Sequence, residues 1–470
     1  MVDFNPNTPT SKLNYPTDYK LESLALFAPG FSGALDLLPH MVELNYFEDI
    51  YNNTISGNVV ISDSVGILNF ASLGGTEFIV VRFRKSDDLP ISVDRVFRVF
   101  SVSDRRFDLS NNHEIYKIEF CSEEYLLSEQ YRISKSYKGQ KISDMVADIC
   151  NTYLKIGGTG KKQLYVDDTI GSYDFVLPNK KPIETINWLS NYALPSSGTT
   201  GADILFFENR IGYFFTSLQH MYKTDAVLSF LYNPKNISND VFAKMTSVLK
   251  FEVLNYVDTL DAMNRGTFAN RVISVDPIRR KKTTTDFNYN EYYKQSTTLN
   301  GSPVTNNYKN RHGKQLFDTP PKDMEAGVLR MMITNMGQQS DVAYIKNKPG
   351  SVSNDYRVEQ YLPNRVSQLS LANYTRLKLT VPGNSSIFAG MCINFTASSM
   401  NQMNEKGSRP IDPYLSGKYL ISAVRHIITP ISYISVIEIC KDSGIMNYSG
   451  VDPNSSTWNG FVTGNQNNNN

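Results

Sequence analysis

Two stretches of the chain share one pattern of apolar and polar positions. Val96–Cys121, VFRVFSVSDRRFDLSNNHEIYKIEFC, and Lys418–Cys440, KYLISAVRHIITPISYISVIEIC, each alternate at period two, break at a turn and alternate again. That is the signature of a β-hairpin with one face buried. Setting Ser101 on Ser422 places Val99, Phe100 and Val102 on Leu420, Ile421 and Ala423, and Ile118, Glu119, Phe120 and Cys121 on Ile437, Glu438, Ile439 and Cys440. A second echo precedes each hairpin: FIVVRFR (Phe78–Arg84) before the first and GMCINFT (Gly390–Thr396) before the second, with Ile79, Val81 and Phe83 on one face as are Met391, Ile393 and Phe395. Further upstream, LNY (Leu44–Tyr46) and VIS (Val60–Ser62) recur as Leu254–Tyr256 and Val272–Ser274. Four echoes in one order point to an internal duplication.

Between the two copies the period lengthens to 3.6. In KISDMVADICNTYL, Ile142, Met145, Val146, Ile149, Cys150 and Tyr153 share a helical face, and Gly157 and Gly158 follow as stops. A second helix begins at Pro182, a residue favoured in the first turn, turns Ile183, Ile186, Leu189 and Ala193 inward and ends before Pro195. ADILFFENRIGYFFTSLQHM then reads as a hairpin turning at Asn209-Arg210. Late in the chain, a helix over Asn364–Asn373 leads into the strand TRLKLTV, Thr375–Val381.

The expected class is therefore α+β: two similar antiparallel β-barrel-like domains and smaller α+β domains. The expected division is a loose arm at 1–20, a first β-barrel-like domain at 21–134, an α+β domain at 135–240, and a second β-barrel-like domain built from 246–282 and 357–443. The second domain is interrupted by an insertion at 283–356, in which EAGVLRMMIT is a helix or a strand, and the Asn-rich tail 444–470 is expected to be disordered. At 470 residues the chain holds three or four such cores.

Charge and composition narrow the function. Lys plus Arg number 47 against 46 for Asp plus Glu, a formal charge of +1, which argues against a dedicated nucleic-acid or anionic-membrane binder. The N-terminus lacks the apolar core of a signal peptide, and the longest apolar stretch, near residue 420, is broken by Arg425, His426, Pro430 and Glu438, so no membrane-spanning helix is expected. Cys121, Cys150, Cys392 and Cys440 form no C-x-x-C pair and read as free thiols.

Patterns that carry chemistry are sparse along the chain. GGTGKK (Gly157–Lys162) resembles a phosphate loop, but Lys155 stands where the first glycine belongs and Lys162 where the hydroxyl belongs. His40, His113, His220, His312 and His426 are scattered singly, without metal-ligand spacing. The acidic pairs Glu123-Glu124 and Asp167-Asp168 read as solvated turns rather than a glycosidase pair, and no nucleophile elbow occurs. No catalytic, cofactor-binding or metal-binding residue is assigned, and no cofactor is expected. The cluster Arg279, Arg280, Lys281, Lys282 reads as a solvated strand end leading into a loop, with a contact to nucleic acid or to an acidic partner as the alternative. NYNEYYK (Asn288–Lys294) offers tyrosines either as interface anchors or as loop residues.

LTVPGNSSIFAGMCINF (Leu379–Phe395) resembles the baseplate hub proteins of contractile-tailed bacteriophages, which carry a strand, a V-P-G-N turn and a step to A-G before the next strand. Val381, Pro382, Gly383 and Asn384 match the turn, and Ala389 and Gly390 the step. SYKGQKISDMVADI, KPIETINWLSNYAL and FFENRIGYFFTSL occur in the same order as in that family, so the resemblance covers roughly residues 40–443. It implies a structural, non-enzymatic virion protein, made in the host cytoplasm and placed in the tail baseplate. It also implies a homotrimer whose six near-equivalent β-domains adapt a sixfold tail tube to a threefold central spike. The implied partners are further copies of the chain, the spike, tube or tube-initiator proteins and baseplate wedge proteins, with neither a membrane nor specific nucleic-acid binding. The alternatives are the hub portion of another contractile injection system, a tail-associated cell-wall hydrolase, and a receptor-binding tail protein.

Overall fold

A single sheet of thirteen strands runs through both β-units in the computed structural model. The structure describes residues 19–28, 33–70, 73–84, 93–108, 113–157, 162–196, 203–232, 244–256, 258–276, 280–293, 296–303, 328–332, 358–399 and 411–445. Residues 1–18 of the arm, most of the insertion and nearly all of the Asn-rich tail lie outside these residues.

The first unit comprises β1 (Lys20–Phe27), β2 (Leu35–Asp36), β3 (Met41–Asp49), β4 (Ser56–Asp63), β5 (Phe78–Arg84), β6 (Val93–Asp108) and β7 (His113–Cys121). A middle region contributes β8 (Ser136–Gln140), β9 (Gln163–Val166), β10 (Tyr173–Val176), β11 (Ile204–Glu208) and β12 (Gly212–Ser217). After it come β13 (Leu228–Tyr232), β14 (Lys250–Asn255), β15 (Ala269–Asp276), β16 (Lys281–Asn288), β17 (Val328–Met332), β18 (Thr375–Pro382), β19 (Cys392–Ala397), β20 (Gly417–Thr429) and β21 (Ser432–Lys441). Alternation carried the strand assignments because burial follows it: β4 and the first seven residues of β21 alternate half-buried with fully buried positions.

The two units are built alike. Neighbouring strands run β1-β5-β6-β7-β4-β3 in the first and β13-β19-β20-β21-β18-β14 in the second. The four pairings among the five inner strands are antiparallel in both. Both hairpins also carry a bulge at the same place. Val99 faces Phe120 and Ser101 faces Glu119, leaving Phe100 over; Ile421 faces Ile439 and Ala423 faces Glu438, leaving Ser422 over.

That bulge corrects the alignment read from sequence. Phe100, not Ser101, occupies the place of Ser422, because an extra residue in a ladder shifts the register without leaving a compositional trace. Likewise Ile79 faces Phe97 as Ile393 faces Tyr419, so Ile79 corresponds to Ile393 rather than to Met391. A slip of two keeps the same face and passes unseen in a period-two pattern. The LNY echo falls on corresponding strands but out of register, since Leu44 faces Val59 as Phe251 faces Leu379. The VIS echo is spurious: Val272–Ser274 belong to β15, which with β16 and β17 forms a separate three-stranded sheet.

Two further differences concern the flanks. β13, read by sequence as part of the middle region, joins the second unit, parallel to β19, whereas β1 runs antiparallel to β5. In the middle region, the helix Ile142–Ile149 continues as a wider turn over Cys150–Leu154 and stops at Lys155, whose φ of 59° is left-handed, two residues before the expected glycines. The late helix starts at Val358 rather than Asn364.

Each unit encloses its own apolar core. That of the first takes Ile428 and Tyr433 from the far end of the chain. The middle core packs the helices Ile142–Ile149 and Pro182–Ser190 against the β11–β12 hairpin, and the second β-unit surrounds Leu379, Ile393, Phe395 and Ile437. A fourth cluster joins all three, with Ile50 from the first unit, Phe207 and Met221 from the middle, and Leu420 and Cys440 from the second.

Candidate functional site at the junction of the two β-units

The duplicated units meet edge to edge. The second half of β20, Ala423–Ile428, pairs antiparallel with Leu44–Asp49 of β3, so the hydrogen-bonded ladder passes from one unit into the other without a break. On the inner face Val424, His426 and Ile428 lie opposite Glu48, Tyr46 and Leu44, all of them buried. On the outer face the Arg425 guanidinium donates to Asn45 Oδ1 at 2.9 Å and to Glu43 at 3.3 Å, across the seam.

The tip of the β11–β12 hairpin wedges against this seam. Asn209 holds its own turn by accepting from the Ile211 and Gly212 N–H groups, and donates from its side chain to the Ala389 carbonyl at 3.0 Å. The Ala389 N–H donates to Glu48 at 2.9 Å, and the Tyr46 hydroxyl donates to the same carboxylate at 3.2 Å. Burial raises Glu48 to about 7 despite these donors and the nearby Arg210 guanidinium. Burial, helped by Arg210, pushes His426 down to about 3, so its imidazole is neutral; its Nδ1 lies 2.9 Å from the Tyr433 hydroxyl and 3.0 Å from that of Ser435.

A second buried cluster fastens the middle region to the first unit. Lys162 Nζ lies 2.7 Å from carboxylate oxygens of both Glu124 and Glu208. Glu208 also accepts from the Ile55 N–H and the Ser122 hydroxyl, and Glu124 from the Tyr213 hydroxyl. Burial raises the Glu124 carboxyl; it works against the Lys162 ammonium too, but the two carboxylates outweigh it and Lys162 is held above its ordinary value.

The acidic pairs, histidines, cysteines and basic cluster of the sequence are dispersed. Glu123 pairs with Arg98, while Glu124 is buried under Lys162. Asp168 pairs with Lys141, and Asp167 accepts from Thr216 and Ser217 and lies 2.9 Å from His220 Nδ1. His40 closes a short 3-10 turn, His113 starts β7, and His312 lies outside the described residues. All four cysteines are buried and free. Arg279 is outside the described residues, Arg280 takes a left-handed turn at φ 50°, and Lys281 and Lys282 open β16. The tyrosines of the NYNEYYK segment pack inward: Tyr289, Tyr292 and Tyr293 close a small core with Phe268, Phe287 and Tyr374. Among the described residues no three His, Cys, Asp or Glu side chains converge as a metal site, and no helix is long and apolar enough to cross a membrane.

What the junction can do is mechanical. Its carboxylates are committed to backbone N–H groups, hydroxyls, one lysine and the Arg425 guanidinium, an arrangement that fixes the angle between the units. The segment read as V-P-G-N and A-G sits at its centre. A Cβ on Gly383 would stand 2.1 Å from the Tyr433 ring, and Gly390, at φ 90°, lies against Phe207 and Met221.

No family model matches the chain. Over 426 residues it is 21% identical to a protein of Vibrio phage KVP40 described as a probable baseplate hub protein, gp334, covering 88% of this chain and 93% of that one. The chain is similar to a phage baseplate hub protein. Its fold is shared with solved tail proteins. A tail protein from Neisseria meningitidis MC58 matches 90% of this chain and 97% of its own length at a TM-score of 0.50 and 10% identity. The 43 kDa tail protein of prophage MuSo2 from Shewanella oneidensis matches 90% and 98% at a TM-score of 0.50 and 9% identity. The hub likeness spans both β-units and the middle region, and the names attached to it describe parts of a tail rather than enzymes.

Proposed function

We propose that this chain is the structural hub of a contractile phage tail baseplate, working as a closed homotrimer that adapts a sixfold tail tube to a threefold central spike. The observation that carries the reading is the pair of like-built β-units joined by one continuous sheet. Three such chains present six near-equivalent units to one side while repeating only three times as whole chains. On this reading the partners are two further copies, the spike, tube or tube-initiator proteins and baseplate wedge proteins. The protein is made in the host cytoplasm and resides in the virion tail. The middle α+β region, locked to the first unit through Lys162, sets the spacing of the β-units rather than carrying chemistry. A formal charge of +1 suits a ring past which a genome moves without being gripped.

Sedimentation equilibrium tests it. The expected species is three times the 53.1 kDa chain. A single-chain mass at every concentration, with and without the spike protein, overturns the reading.

A further inference from the structure

Every strand of the internal seam has a counterpart elsewhere in the chain. By register, Val102 corresponds to Val424, since they face Ile118 and Ile437 at matching positions of the two hairpins. After a second bulge in β6, Arg106 and Phe107 correspond to Ile427 and Ile428, facing Ile115 and Glu114 as the latter face Ile434 and Tyr433. On the other side of the seam, Phe251, Glu252 and Val253 of β14 correspond to Leu44, Asn45 and Tyr46 of β3.

These two counterparts are edges. Among the described residues, β6 beyond Ser101 pairs only with β7, and β14 pairs only with β18. They also expose apolar side chains at positions that the internal seam buries. Phe107 is 61% exposed where Ile428 is 0%, and Val253 is 45% exposed where Tyr46 is 0%. An open strand edge with an apolar face is a template for another strand.

We infer that the β6 edge of one copy pairs antiparallel with the β14 edge of the next, repeating between chains the ladder that β20 and β3 make within one. The register is fixed by the correspondence: Arg106 lies opposite Glu252, as Ile427 lies opposite Asn45, and Phe107 lies opposite Phe251, as Ile428 lies opposite Leu44. The Arg106–Glu252 opposition is attractive across the strand pair. The contact is head-to-tail, with different surfaces meeting, so it joins successive copies rather than an isolated pair, and a threefold rotation between them closes the ring. The inference rests on the trimeric reading and names the surface through which it is made.

Cysteine cross-linking separates the two. The Arg106→Cys chain and the Glu252→Cys chain are mixed, with the native thiols buried, and oxidised. Directly opposed positions have Cβ atoms within roughly 5.5 Å, so a covalent dimer is expected from the mixture and from neither chain alone. Arg106→Cys mixed with Lys250→Cys, two residues out of register, is expected to give less than a tenth of that product. A trimeric mass without the Arg106–Glu252 cross-link, or with an equal yield at Lys250, overturns the inference and leaves the trimer standing. A single-chain mass throughout overturns both.

Discussion

Gly383 shows how a single residue holds the junction. Its lack of a side chain lets the Tyr433 ring, buried in the first core, pass within van der Waals reach of the backbone. Gly383→Ala must displace that ring, and the expected loss is about 1–3 kcal/mol of stability, read as a lowered urea midpoint. Glu48 makes a prediction of opposite sign. Burial holds its carboxyl at about 7 in the folded chain against an ordinary 4.5, so the folded state binds the proton more tightly. Its contribution to stability is complete below pH 4.5, declines as pH rises and is gone above 7, a swing of roughly 3 kcal/mol. Glu48→Gln keeps an acceptor for the Ala389 N–H. It is expected to be more stable than the native chain at pH 8, with the gain vanishing by pH 4.5 in urea titrations at the two pH values. Glu48 was legible in principle: it occupies the inward position of the alternation Leu44, Tyr46, Glu48, where an apolar residue belongs.

At the scale of elements, the lysine that failed the phosphate-loop pattern neutralises Glu208, the carboxylate that ties the middle region to Ile55 and Ser122 beside the first unit. Lys162→Ala leaves Glu124 and Glu208 buried without a cation, and removing one partner of such a group costs about 3–5 kcal/mol. Trp188 packs against the middle core, so its fluorescence is expected to report an earlier unfolding midpoint in this variant than far-UV circular dichroism does. The hairpins and the amphipathic helix were readable because burial imposes period two and period 3.6 on every residue they contain. The bulges at Phe100 and Ser422 were not, because a one-residue insertion costs the ladder one pair and leaves composition unchanged. The Lys162 clasp was hidden for a different reason: Glu124, Lys162 and Glu208 are 38 and 46 residues apart along the chain and meet only through tertiary packing.

For the whole molecule, the continuous ladder makes the β-units depend on each other. Ile428 and Tyr433 complete the first core, so the first unit cannot close while β20 is out of place. The amides of Ala423–Ile428 and Leu44–Asp49 are therefore expected to exchange with solvent only through global unfolding, at one shared free energy. Native-state hydrogen exchange checks this, and independent opening of either unit would show as two separate values. The duplication was legible from the echoed strands, yet the seam was not, since strand pairing between distant segments depends on which edges are left open, a property of the folded units.

Strands β1 and β13 separate the halves. β1 lies antiparallel to its neighbour and β13 parallel to its own, so the chain polarity at one flank is the reverse of that at the other. A ligand that reads only the five antiparallel strands common to both units meets the same strand order twice per polypeptide. One that reaches a flank meets two objects, because amide and carbonyl groups there point in differently spaced directions. The molecule thus offers two ways of being counted, and which count a neighbour takes is decided by how far toward the rim it extends.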